Sequence, residues 1–383
     1  MSDKLSTKKI LLVFGTRPEA IKMVPIIKAL KRDKNFDAKV CVTAQHREML
    51  DQVLQIFDVL PDYDLNIMNP MQDLFDVTSN VILGMRKVLS DFKPNIVLVH
   101  GDTTTTSASA LAAFYHKIKV GHIEAGLRTN NIYSPWPEEA NRQITSVIAN
   151  FHFAPTRTSQ NNLLKENIDK KNILICGNTV IDSLFLVLSK IEKDSALKKR
   201  IINDISKQYT LKNEKKIILI TGHRRENFGE GFIDICKAIK MIADNNPNID
   251  IVYPVHLNPN VQKPVRKMLS GSHNIFLIDP MPYQNFIYIM SKSHFIITDS
   301  GGIQEEAPSL GKPVLVIRDT TERPEALKAG TVKLVGTDPR VILKESQRLL
   351  DNKKEYDKMS KAHNPYGDGF ASEKIVNFLS AIE

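Results

Sequence analysis

The chain has 383 residues, 42% hydrophobic and 25% charged, with a formal net charge of +9; that length exceeds what one core usually serves, so two globular domains are expected. No apolar run approaches a membrane span, the N-terminus carries no signal-like core, and Cys41, Cys176 and Cys236 lack disulfide or metal spacing, which points away from membrane and secreted classes and toward the cytoplasm. The charge comes from lysines scattered along the chain with no recognition module, which argues against nucleic acid and for an anionic small substrate.

Strand-like runs at 10–14, 38–43, 95–100, 119–123, 151–154 and 173–176 alternate with amphipathic helical stretches. Apolar runs without polar alternation, separated by helices, predict a parallel sheet covered on both faces. The segment 189–215 is helical in pattern and lysine-rich, and reads as a junction. The β/α pattern then restarts with runs at 216–221, 249–254, 274–278, 294–298, 313–317 and 332–335. The string 363–370, with Pro365, Gly367 and Gly369, breaks a helix before a last helical stretch at 371–382. The expected domains are therefore 1–177, rejoined by a C-terminal helix within 366–383, and 178–365.

Ligands in such sheets sit at the carboxyl ends of the strands, in the loops that follow. The stretch 294–327 is the richest: an apolar run ends in Ser300-Gly301-Gly302, a helical segment carries Glu305 and Glu306, and a second run opens onto Arg323. Glycines at a helix N-terminus let a phosphate approach backbone N–H groups, and a carboxylate one turn in can accept both hydroxyls of a ribose. A plain strand-to-helix turn uses the same Gly-Gly. After the first strand, Arg17 and Lys22 stand where the chain enters a helix, suited to a diphosphate or simply solvated.

Asp102 and Glu124 follow two successive strand-like runs and Glu138 opens a helix. Acids converging there suit paired acid/base work; for Asp102 a helix N-cap ahead of the threonines is the competing reading. His223, after the first strand of the second series, could face a leaving phosphate. The string Asp62-Tyr63-Asp64 looks like a metal-binding D-x-D but does not close a long buried strand. No metal-site spacing and no G-x-G-x-x-G occurs, so neither metal nor cofactor is expected.

Taken in order, these strings resemble the non-hydrolysing UDP-N-acetylglucosamine 2-epimerases: residues 14–22, 43–47, 100–106, 121–129, 137–142, 221–227, 299–309, 321–325 and 364–369, essentially along the whole chain. The resemblance implies an α/β GT-B architecture, two Rossmann-like doubly wound parallel-sheet domains with the active site in the cleft, as a homodimer. It implies reversible interconversion of UDP-N-acetylglucosamine and UDP-N-acetylmannosamine for bacterial surface polysaccharide. Residues carried over are Asp102, Glu124 and Glu138 for acid/base work and His223 at the diphosphate. Arg17, Lys22, Phe286, Ser300, Gly301, Gly302, Glu306 and Arg323 match positions that hold UDP, with a further contact near Met281. Gln45 and His46 match the segment beside an allosteric site of some relatives, although Glu48 and Met71 replace polar or basic residues found there. A hydrolysing epimerase, a GT-B glycosyltransferase and an epimerase of a 2,3-diacetamido-glucuronate analogue remain the alternatives.

Overall fold

Aliphatic runs form two all-parallel sheets in the computed structural model, which describes residues 7–44, 47–68, 71–212 and 214–382. Contacts divide the chain into one unit of residues 1–183 with 366–383 and a second of residues 184–365.

The first unit holds β1 (Lys8–Phe14), β2 (Phe36–Val42), β3 (Tyr63–Asp64), β4 (Ile96–His100), β5 (Lys119–Ile123), β6 (Phe151–Ala154) and β7 (Ile173–Ile175). Their spatial order is β3-β2-β1-β4-β5-β6-β7. The winding reverses between β1 and β4, where Leu11 pairs with Val97 on one side and Lys39 on the other. Every residue of β4 is buried, which explains its unbroken apolar run: helices cover both faces. The edge strand β3 is two residues long and falls within the D-x-D string. There the Asp62 carboxylate accepts the Val40 N–H at 2.8 Å and Asp64 pairs with Arg47, so both carboxylates serve the sheet edge.

The second unit holds β8 (Ile217–Thr221), β9 (Asp250–Pro254), β10 (Ile275–Ile278), β11 (Phe295–Thr298), β12 (Val314–Val316) and β13 (Val332–Leu334), in the order β10-β9-β8-β11-β12-β13. Its reversal lies between β8 and β11. Ile218, Ile220, Phe295, Ile297, Leu315 and Ile317 pack in one core with Phe232, Ile235, Ile239 and Ile242 of the helix Glu230–Asn245.

The last helix, Ala371–Ala381, packs against Arg17–Arg32 of the first unit. Asp182 anchors its start, accepting from the Ser372 N–H at 2.8 Å, the Ser372 hydroxyl at 2.6 Å and the Ala371 N–H at 3.3 Å. Phe378 meets Phe151 and Phe153 edge-on, centroids 5.8 and 5.6 Å apart. Residues 178–183 also lie with the first unit, where the Ser183 hydroxyl donates to the Ile21 carbonyl. A Cβ on Gly177 would lie 3.2 Å from the Cα of Gly367, and both glycines have positive φ (93° and 124°). Only glycine lets these two backbone strands approach so closely.

Candidate active site

In the first unit, the loops after β1, β4 and β5 are drawn together by buried carboxylates. Glu19, buried in the helix Arg17–Arg32, accepts the Gly15 and Thr16 N–H groups at 3.1 and 2.8 Å and the Thr103 hydroxyl at 2.7 Å. Burial pushes its carboxyl up despite these donors. Thr103, not Asp102, caps the helix Thr104–Tyr115, accepting the Thr106 N–H at 3.2 Å. The N-cap reading of Asp102 is thereby set aside, and its side chain pairs instead with Arg142. Burial raises the Asp102 carboxyl above its ordinary range; Arg142 pulls it down and the Glu124 charge pushes it further up.

Glu124 follows β5 with φ of +62°, a left-handed backbone that a non-glycine residue rarely adopts. Its side chain is 8% exposed. Lys22 Nζ lies 2.6 and 2.8 Å from its two oxygens, Asn178 Nδ2 donates at 2.8 Å, and His100 Nε2 stands 3.3 Å away. His100 is pushed down to about 4 by burial, so it meets Glu124 as a neutral ring near neutral pH. Lys22, expected at a diphosphate, is thus placed on an acid. Glu138 opens the helix Glu138–Ile148, and its Oε2 is buried with no partner among the described residues. The next residue, Glu139, accepts from Thr129 N–H at 3.1 Å, Arg142 at 3.0 Å and Gln143 at 3.0 Å. Against the penalty of burial, those donors hold its carboxyl below the usual range. A fixed anion there aims Arg142 at Asp102.

The second unit supplies cations and open backbone donors. Ser300 precedes the helix Gly301–Ser309 without capping it through its side chain, which leaves the first N–H groups of that helix to another acceptor. A Cβ built on Gly301 would lie 3.7 Å from Arg323 Nη2 and 3.9 Å from Arg224 Nη2, so two guanidinium groups flank this turn. Arg323 is held by Glu305. Glu306 accepts the Tyr283 hydroxyl at 2.6 Å, and burial together with Glu306 pushes that phenol well above its usual range, which keeps it a donor. His223 follows β8, partly exposed, its ring stacked on His256 at 5.2 Å. Met281 and Phe286, both half-buried, flank the start of the helix Tyr283–Lys292. Gly302 has open space where a Cβ would go. Arg17 is exposed at the head of its helix. Gln45 and His46 lie outside the described residues.

Sequence reasoning did not single out His100, Asn178, Glu139, Arg142, Arg224, Tyr283 or Asp299. Several stand inside or beside the motif strings. The available signal was chemical: a buried charge needs a partner, and each of these supplies or receives one.

The two units together define an α/β protein of GT-B architecture, with a carboxylate cluster at strand ends of one doubly wound sheet and a glycine-led helix with two arginines in the other. The family model for UDP-N-acetylglucosamine 2-epimerase matches residues 28–380, and the chain belongs to that family. It is 64% identical over 372 residues to the UDP-N-acetylglucosamine 2-epimerase of Campylobacter jejuni, covering 97% of each chain. Identity to the Escherichia coli K12 enzyme of the same name is 58%, over 97% of this chain and 98% of that one. A crystal structure of the Neisseria meningitidis UDP-GlcNAc 2-epimerase bound to UDP-GlcNAc superposes with a TM-score of 0.88 at 56% identity, covering 98% of this chain and all of that one. Among the described residues no helix is long and apolar enough to cross a membrane.

Proposed function

We propose that this protein is a non-hydrolysing UDP-N-acetylglucosamine 2-epimerase, a cytoplasmic homodimer interconverting UDP-N-acetylglucosamine and UDP-N-acetylmannosamine for surface polysaccharide synthesis. The observation that carries this reading is the carboxylate pair Asp102 and Glu124, Asp102 raised by burial and set on Arg142, Glu124 set on Lys22; Glu138, one turn before Arg142 on the same helix, adds a buried oxygen with no hydrogen-bond partner among the described residues.

The C2 proton of an N-acetylhexosamine is not next to a carbonyl, so direct abstraction by a carboxylate is too costly. Breaking the C1–O bond changes that. UDP leaves with the bonding pair, the ring becomes oxocarbenium-like, and the C2–H pair closes the C1–C2 double bond of 2-acetamidoglucal as a carboxylate takes the proton. Protonation of C2 on the opposite face and return of the UDP oxygen to C1 give the epimer. The acid cluster supplies groups for both faces. Arg323, Arg224, His223 and the N–H groups at Gly301 and Gly302 suit the charge that develops on the diphosphate, and Glu306 suits the ribose hydroxyls. A clamp of this kind must keep UDP after the bond breaks.

The decisive experiment is incubation with UDP-N-acetylglucosamine in deuterated water, followed at C2 by proton NMR. Deuterium at C2 together with UDP-N-acetylmannosamine is expected. Absence of exchange overturns the proposal, and free N-acetylmannosamine with UDP would make the enzyme a hydrolase. A glycosyltransferase would make no UDP-N-acetylmannosamine without an acceptor. Gel filtration with light scattering tests the dimer.

A further inference from the structure

Asp299, the residue after β11, is fully buried. Its Oδ2 accepts the backbone N–H groups of His223 and Arg224, each at 2.8 Å, so one oxygen fixes the turn that follows β8. Its other oxygen, Oδ1, is buried, has no hydrogen-bond partner among the described residues, and lies 3.5 Å from His223 Nδ1. A buried carboxylate oxygen left without a donor is costly. The ring nitrogen facing it need move only about half an ångström to reach ordinary hydrogen-bond length. β8 and β11 are adjacent, paired Thr221 to Thr298, and the Thr221 and Thr298 hydroxyls are 2.6 Å apart. The two loops therefore leave the sheet side by side.

We infer that Asp299 is a positioning residue for His223: its Oδ1 accepts a hydrogen bond from Nδ1–H, fixes the ring and favours the imidazolium, whose Nε2–H then points outward as a hydrogen-bond donor for the departing diphosphate. This rests on the reading under Proposed function. The histidine faces Asp299 from the β11 loop, His256 from the β9 loop, and Arg224 from its own loop. Burial depresses its protonation, as do the neighbouring His256 ring and Arg224, and Asp299 alone among these groups supports it. Without Asp299 the imidazolium is lost at a lower pH, and either tautomer of the neutral ring becomes available.

Asp299→Asn keeps an oxygen for the two backbone donors and removes the charge. The expected result is a kcat lowered about tenfold or more at pH 8, with KM for UDP-N-acetylglucosamine nearly unchanged and activity recovering toward wild type as pH falls. A pH profile that coincides with wild type, or a defect confined to KM, overturns the inference. Independently of activity and of the variant's folding, the wild-type protein labelled with 15N-histidine and mixed with UDP gives the ring tautomer by long-range 1H–15N NMR, with His223→Gln to assign the signal. A proton on Nδ1 is expected, and a bare Nδ1 at neutral pH overturns it. If wild-type protein makes no UDP-N-acetylmannosamine, the functional reading fails, and the tautomer still decides the Asp299 contact.

Discussion

Glu124 and Asp102 are both carboxylates after neighbouring strands, yet their surroundings differ. Glu124 is clasped by Lys22 and Asn178, whereas Asp102 faces Arg142 on one side and has a carboxyl raised by burial. A carboxyl pKa raised on one acid, with unlike partners on the two, is what separates an acid role from a base role. Asp102→Asn is expected to lower turnover by about 10² or more while calorimetry finds UDP binding intact; near-normal turnover would take Asp102 out of the chemistry. Gly301→Ala separates binding from folding. A methyl there makes only ordinary contacts with Arg323 and Arg224, and alanine favours a helix, so thermal stability should hold or rise. UDP affinity should fall about tenfold, about 1.4 kcal/mol, because on the proposed binding mode the methyl would stand where a phosphate meets the N–H groups. Unchanged affinity would move the diphosphate elsewhere. His122 tests the electrostatics of the interior: it is fully buried, its Nε2 is 2.7 Å from the Gly101 carbonyl, and burial pushes it down to about 3. Below pH 6.5 the unfolded chain takes up a proton at this ring that the folded chain refuses, so stability falls with falling pH until the folded value is reached. The slope is about 1.4 kcal/mol per pH unit. His122→Asn, which can still donate to Gly101, should lose about 2 kcal/mol less than wild type between pH 6.5 and 5 in urea unfolding; equal losses would contradict the buried neutral ring. The residues first singled out were those whose type alone suggests chemistry. Arg142 and Asp299 stayed hidden because their roles depend on which side chain lies opposite, and a sequence states order, not proximity.

At the scale of elements, β5 and β6 occupy their expected ranges, 119–123 and 151–154, and most other strands differ by one or two residues at an end. Burial on both faces leaves an unbroken apolar run that any reading finds. β3 escaped because two residues at a sheet edge carry no period. Helix starts were less legible where the cap comes from afar. The helix Ala371–Ala381 takes its cap from Asp182, 190 residues earlier in sequence from Ser372. Asp182→Ala leaves three donors without their acceptor and should cost about 2 kcal/mol in urea unfolding. Asp182→Asn, which keeps one acceptor oxygen, should recover part of that. A loss below about 0.5 kcal/mol, the usual range of an inconsequential surface change, would mean the helix is held by its apolar face alone.

For the whole molecule the consequence of this cap is that the chain's end belongs to its beginning. Pro365, Gly367 and Gly369 announce a break in the sequence, but nothing local says where the next helix goes. Its destination is set by Ile375 and Leu379, both fully buried, by the two phenylalanines that meet Phe378, and by Lys8, whose ammonium donates to the Leu379 carbonyl at 2.8 Å. The first unit is thus completed only when residues 366–383 have been made, while residues 184–365 form their own sheet and core. Leu379→Ala should therefore destabilise the first unit by about 2–5 kcal/mol. Every residue of β4 is buried in that unit, so hydrogen exchange of the β4 amides in urea reports the first unit, and circular dichroism reports both. The expected outcome is a β4 midpoint moved to lower urea with a second, dichroic phase left in place. If both signals moved together by the same amount, the two units would be unfolding as one, and the last helix would be stabilising the entire chain instead of closing the unit it packs into.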